Sequence, residues 1–223
     1  MKIGIFGNSD AVYRKKVLYD TPASILAAVF PDDQIDWFGV PYCSSERLLL
    51  ILQKHTKYDL YFMFHTNYDK VYSPLWNKDS LASDLRKCSR NALFKEKYLK
   101  ILESRGNDIS SINDAFFDQL LVSNQVLMNR WIGALSQIRN FCKNKNTIHI
   151  YSDTDLKKRN IFSDFYHAEQ VTKYLINRKK HDMNDIDFLE QPVQTGEKAR
   201  ESHYKKFGYL LCDEINKFKQ LSS

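Results

Sequence analysis

Glycine and proline are scarce here: 223 residues contain 7 Gly and 5 Pro. That scarcity argues against a loop-rich or all-β fold, because such folds need these residues at their many turns. Cysteine is also sparse. Cys43, Cys88, Cys142 and Cys212 stand far apart, without a CxxC pair or a Cys/His cluster, so neither a zinc site nor any other metal site is expected. A chain of this length needs no disulfide, and the four are read as reduced thiols of a cytoplasmic protein. No apolar run approaches the roughly 20 residues of a membrane helix. Met1 to Phe6 lacks the long apolar region and small-residue cleavage site of a signal peptide. The GxGxxG dinucleotide fingerprint and the lysine of a phosphate-binding loop are missing too, so no cofactor is expected.

What is present is ordinary for a globular protein: 43% hydrophobic and 27% charged residues, with 13 Tyr and 14 Phe. The net charge of +6 raises the question of an anionic partner. Its basic residues form only short clusters, Arg14-Lys15-Lys16, Lys157-Lys158-Arg159 and Arg178-Lys179-Lys180. No nucleic-acid signature accompanies them, and a solvated surface is the simpler reading.

The order of elements indicates one α/β domain over residues 1–223. Lys2 to Phe6 reads as a buried strand ending at Gly7. Thr21-Pro22 is a helix start, with Thr as N-cap and Pro in the first turn, and Ala23 to Phe30 follows as helix. Gln34 to Val40 is a second strand. Ser44 or Ser45 caps a helix from Glu46 to His55. Tyr58 to Phe64, almost wholly apolar and aromatic, suits a central parallel strand buried on both faces. Strand, helix, strand, helix, strand implies a parallel sheet. From about residue 70 to 145 no strand is evident. Leu81 to Glu103 is helix-prone, and Ile112 to Cys142 carries apolar residues at helical spacing. This stretch reads as a helical insertion, able to act as a lid or a partner surface. Thr147 to Tyr151 is a fourth strand and Phe165 to Ile176 a helix. Asn177 to Arg200 reads as a long loop, and a last helix runs from about Tyr204 to Lys219.

Chemistry-bearing residues cluster where strands end. Ser9 follows the first strand, in Gly7-Asn8-Ser9-Asp10. A serine hydroxyl needs a base to become a nucleophile, and open parallel sheets bind ligands at this edge. Asn67 follows the third strand, where its amide can donate to an oxyanion. The turn after the second strand, Gly39-Val40-Pro41-Tyr42-Cys43-Ser44, can supply a backbone N–H. His203 opens the last predicted helix, with Glu201 two residues before it to orient the imidazole. Asp153 and Asp155, after the fourth strand, are better read as a helix cap and a solvated loop than as metal ligands. His149 and His167 lack ligand spacing.

In order and placement these segments resemble the SGNH (GDSL-type) hydrolase superfamily. Ile3 to Asp10, IGIFGNSD, is similar to the first family block, with Asn8 where Asp is usual. Tyr61 to Asp69, YFMFHTNYD, looks like the Asn-bearing block, with His65 where Gly is common. Glu201 to Ile215, ESHYKKFGYLLCDEI, looks like the last block, with Glu201 for the usual Asp. The blocks cover about a quarter of the chain. The resemblance implies a flavodoxin-like three-layer α/β/α fold, with Ser9 as nucleophile, His203 as general base and Glu201 as its orienting acid. The Ser9 N–H and the Asn67 amide would form the oxyanion hole. Gly39 stands for the family glycine there, or the donor N–H comes from Tyr42 or Cys43. The expected activity is hydrolysis or transfer of an acyl ester, with a carbohydrate O-acetyl group as the substrate class. The alternatives are a non-catalytic relative that binds without reacting, and a nucleotide- or phosphosugar-binding protein that holds phosphate at the Gly7 turn.

Overall fold

A computed structural model describes residues 1–8, 11, 21–40, 43–65, 70–73, 78–81, 92–104, 109–110, 124–151, 161–184 and 193–222. Its elements are β1 (Lys2–Gly7), α1 (Pro22–Val29), β2 (Gln34–Gly39), α2 (Ser45–Lys54), β3 (Leu60–His65), β4 (Lys70–Ser73), β5 (Lys78–Leu81), α3 (Ala92–Ser104), α4 (Asn124–Cys142), β6 (Thr147–Tyr151), β7 (Tyr166–His167), α5 (Glu169–Asn184) and α6 (Val193–Ser222).

Five strands form one parallel sheet in the order β2-β1-β3-β6-β7. This is the flavodoxin-like order 2-1-3-4-5. The central strand β3, Leu60-Tyr61-Phe62-Met63-Phe64-His65, is buried at every position, as a strand covered on both faces must be. Its alternate residues face two separate cores. Leu60, Phe62 and Phe64 join Ile3, Ile5, Ile148 and Ile150 beneath α1, α5 and α6, where Leu26, Val171, Phe207 and Leu211 complete the packing. Tyr61 and Met63 join Phe6, Tyr151, Leu48 and Leu52 of α2, and Trp131 and Leu135 of α4. The three-layer arrangement expected from the sequence is therefore present.

Local chemistry sets the helix starts. Thr21 Oγ1 accepts from the Ser24 N–H (3.2 Å) and Ser24 Oγ accepts from the Thr21 N–H (2.9 Å), closing a reciprocal capping box. Ser44, rather than Ser45, caps α2 by accepting from the Arg47 N–H at 3.1 Å. Arg130 of α4 makes a two-pronged ion pair with Glu46 of α2, at 2.8 and 3.0 Å, tying the helices of one layer together.

Two expectations are corrected. The stretch after residue 70 holds a two-stranded antiparallel hairpin, β4–β5, where no strand was predicted. Of the helix expected over Ile112 to Cys142, residues 124–142 are helical, as α4, and residues 112–123 lie outside the described residues. The predicted loop of residues 177–200 is helical over much of its length: α5 continues to Asn184 and α6 begins at Val193. The sequence Gln194 to Arg200 is rich in straight-chain residues that lose little rotamer freedom in a helix, which outweighs the single Gly196. Cys43, Cys142 and Cys212 are buried thiols; burial pushes Cys142 up to about 12 and Cys212 up to about 11. Among the described residues no helix is long and apolar enough to cross a membrane.

Candidate functional site

The chain leaves β1 for β2 on one side and returns to β3 on the other. The crevice beyond the C-terminal ends of β1 and β3 is thus the topological switch point, where parallel α/β sheets hold ligands. The last residue of β1 is Gly7, with φ +138, a backbone region that residues with a side chain rarely adopt. A Cβ there would meet the Phe64 carbonyl oxygen at 2.4 Å and the Phe64 Cβ at 2.6 Å. Glycine therefore lets the end of β1 turn while pressed against β3. The next residue, Asn8, is 6% exposed, and its carbonyl accepts from the Ala11 N–H at 3.0 Å.

Gly39 ends β2 directly beside Gly7 in the register. The following N–H, that of Val40, donates to the Gly7 carbonyl at 2.9 Å, and the Cys43 N–H donates to the Val40 carbonyl at 3.0 Å. Cys43 was one of the alternative oxyanion donors, but its N–H is already committed to this turn. Tyr42, Ser9, Asn67, Asp153 and Asp155 lie outside the described residues.

His203 is the eleventh residue of α6, not its opening residue. The helix runs antiparallel to the strands. Near its end, Lys219 Nζ donates to Asp33 at 2.5 Å, just ahead of β2. Burial raises the Asp33 carboxyl, but hydrogen bonds from Lys219 and the Met1 amino group outweigh it and hold the group below the usual carboxylate range. At the other edge, the Phe207 ring meets the Phe64 ring edge-on at 5.9 Å. His203 lies one turn earlier, about 6 Å further along the axis, and so reaches the level of the C-terminal edge. A continuous helix also changes the expectation for Glu201. Glu201 and His203 both lie inside this helix rather than ahead of it.

Sequence reasoning did not anticipate an imidazole chain on the α2/α4 side of the sheet. His65, the last residue of β3, and His149 of β6 are both wholly buried. His65 Nε2 lies 2.7 Å from His149 Nδ1. The rings are 4° from parallel with centroids 5.0 Å apart, the geometry of an in-plane N–H···N hydrogen bond rather than a face stack. His149 Nε2 continues to Thr147 Oγ1 at 3.2 Å. The Phe162 ring covers both imidazoles, 4.5 Å from one and 4.6 Å from the other. His167, paired with His149 in the sheet register, donates from Nε2 to the Phe162 carbonyl at 2.7 Å. Burial pushes the His65 imidazole down to about 3, with His167 adding to the effect. Burial, then His65 and His167, holds His149 well below its ordinary value. Burial thus holds the His65 and His149 rings in the neutral form. Among the described residues no group of three His, Cys, Asp or Glu side chains is placed to hold a metal ion.

No family model matches the chain, and no curated protein or solved structure matches it.

Proposed function

We propose that the chain is a serine hydrolase of the SGNH type acting on an acyl ester, with Ser9 as nucleophile and His203 as general base. One observation carries this reading: segments far apart in sequence end at one switch point. Gly7, two residues before Ser9, and His65, two residues before Asn67, end the two strands that flank the crevice. Cα atoms two residues apart are separated by at most about 7.6 Å, so connectivity keeps Ser9 and Asn67 near those ends. The backbone of α6 carries His203 to the same edge through the Phe207–Phe64 contact.

In this reading His203 takes the Ser9 proton as the hydroxyl attacks the ester carbonyl. The same proton passes to the departing alkoxide, leaving an acyl-serine, and water then releases the acid. The Ser9 N–H, the Asn67 amide and a donor from the Gly39 turn would stabilise the oxyanion. Acyl transfer to another hydroxyl uses the same site. A small-molecule or carbohydrate ester, an O-acetyl sugar above all, is the proposed substrate class, in a cytoplasmic setting.

The test compares native protein with Ser9→Ala and His203→Ala on p-nitrophenyl acetate, together with labelling by a fluorophosphonate. Each variant should lose at least about a hundredfold in turnover, and the label should map to Ser9. Equal turnover in Ser9→Ala, or no label on Ser9, rejects the reading. Such a result would favour a binding module of the same fold. A nucleotide that raises the melting temperature without hydrolysis would point instead to phosphate binding at the Gly7 turn.

A further inference from the structure

A cavity of about 240 Å³ opens at the edge of the sheet opposite the switch point. Lys2 opens β1, Gln34 opens β2, and Lys54 ends α2 just ahead of β3, so the N-terminal ends of three strands converge on it. The six residues of β1 put it about 17 Å from the Gly7 turn. Its lining is rich in one sign of charge. Lys2, Lys54 and Lys57 border it, against a single carboxylate, Asp36. None of the three ammonium groups makes an ion pair among the described residues. Lys54 complements the carbonyl end of α2, whereas Lys2 and Lys57 lie outside that helix. The Thr56 and Lys57 N–H groups, in the same wall, find no acceptor among the described residues. Asp36 is engaged through one oxygen only: Oδ2 accepts from Gln34 Nε2 at 2.9 Å and from the Tyr58 hydroxyl at 2.8 Å. Oδ1 accepts from no described residue.

A cleft lined by one sign of charge concentrates ions of the other. Three ammonium groups against one carboxylate leave an excess of two positive charges. A phosphate monoester carries about −1.5 to −2 near neutral pH and matches that excess, where a monocarboxylate would cancel half of it. Lysine suits phosphate, because an ammonium acts as a point charge and needs no fixed fork. The cavity is smaller than the roughly 300–1,000 Å³ that holds drug-sized ligands, so its ligand is small. A carboxylate oxygen beside the cations calls for a donor on the same molecule, and a sugar hydroxyl supplies one. We propose that this cavity binds a small phosphorylated sugar, with the phosphate among Lys2, Lys54 and Lys57 and a hydroxyl donating to Asp36 Oδ1. The site is separate from the Ser9 crevice and does not rest on the hydrolase reading.

Titration calorimetry of the native protein with glucose 6-phosphate, inorganic phosphate and glucose tests the site. Glucose 6-phosphate should bind at one site, inorganic phosphate more weakly, and glucose not measurably. Lys54→Gln combined with Lys57→Gln should weaken glucose 6-phosphate binding at least about tenfold. Lys173→Gln combined with Lys205→Gln removes the same charge from exposed positions of α5 and α6 and should change it less than about twofold. Asp36→Asn takes away the acceptor and should lower the preference for glucose 6-phosphate over inorganic phosphate about tenfold. Native protein that does not bind glucose 6-phosphate, or binds it no better than inorganic phosphate, overturns the proposal. Equal losses in the two double variants overturn it too, since they mark attraction to overall charge. Unchanged binding in Lys54→Gln/Lys57→Gln puts the phosphate elsewhere, such as the Gly7 turn, and also overturns it. An unchanged preference in Asp36→Asn rejects the hydroxyl contact; if that variant does not fold, the native preference decides the point. None of these readouts uses Ser9 labelling, so failure here leaves the hydrolase reading standing, and an unlabelled Ser9 leaves this site standing.

Discussion

Gly7 shows how much one residue can fix at the end of a strand. Its φ of +138 and the 2.4 Å at which an added Cβ would meet the Phe64 carbonyl oxygen are independent obstacles to any side chain. The first is conformational and the second steric against backbone, which has little room to yield. Gly7→Ala should therefore lower stability by about 3 kcal/mol, the sum of a strained backbone and an overpacked contact, measured by urea unfolding. Ser9 labelling should fall with it in whatever fraction remains folded, because the turn leading to Ser9 begins there. This residue was legible in the sequence as a strand-ending glycine. The His65–His149 pair was not. The two are 84 positions apart and meet only because β3 and β6 pair with Met63 opposite His149. That register puts His65 diagonally beyond His149 on one face, and local pattern carries no information about it.

At the scale of elements, strands buried on both faces were readable from composition alone, as were the capped starts of α1 and α2. A run such as Leu60 to His65 has few alternatives to a central strand. The hairpin β4–β5 was unreadable because its four-residue strands are largely polar, so no alternation marks them. The start of α6 was missed because polarity was read as loop, although the residues there favour helix. That helix is fitted to its neighbour at Gly208. A Cβ at this position would lie 2.8 Å from Ile25 Cδ1 and 3.1 Å from Pro22 Cα, so α6 crosses the first turn of α1 at close range. Gly133 of α4 faces open space. The two glycines should respond in opposite ways. Gly208→Val should cost about 2 kcal/mol through overpacking and, by pushing α6 outward, should slow Ser9 labelling. Gly133→Ala should gain about 0.5–1 kcal/mol from helix propensity and leave labelling unchanged. Urea midpoints of the two variants check both signs.

For the whole molecule, the buried imidazoles make stability depend on pH. In the unfolded chain a histidine takes up its proton near pH 6.5, whereas folded His65 does so only at about 3, and folded His149 also well below its ordinary value. Between these limits the unfolded state binds more protons, so stability falls as pH drops below 6.5. Two such groups give a limiting slope of about 2.7 kcal/mol per pH unit. Unfolding free energies at pH 7.0, 6.0 and 5.0, above the range where most carboxylates titrate, should show a steepening decline. His149→Phe should halve the limiting slope, and a flat profile would contradict the burial of these rings as neutral groups.

The two cores on either side of the sheet also differ in what they emit. Trp37 packs against the core beneath α1, α5 and α6, and Trp131 is buried in the core beneath α2 and α4. Each core thus contains its own fluorophore, and replacing Trp76 together with one of these two tryptophans by phenylalanine leaves the other as a reporter for its side alone. Unfolding curves from the two single-reporter proteins would coincide if the sheet binds both layers into one cooperative unit, and would separate if either layer peels away first.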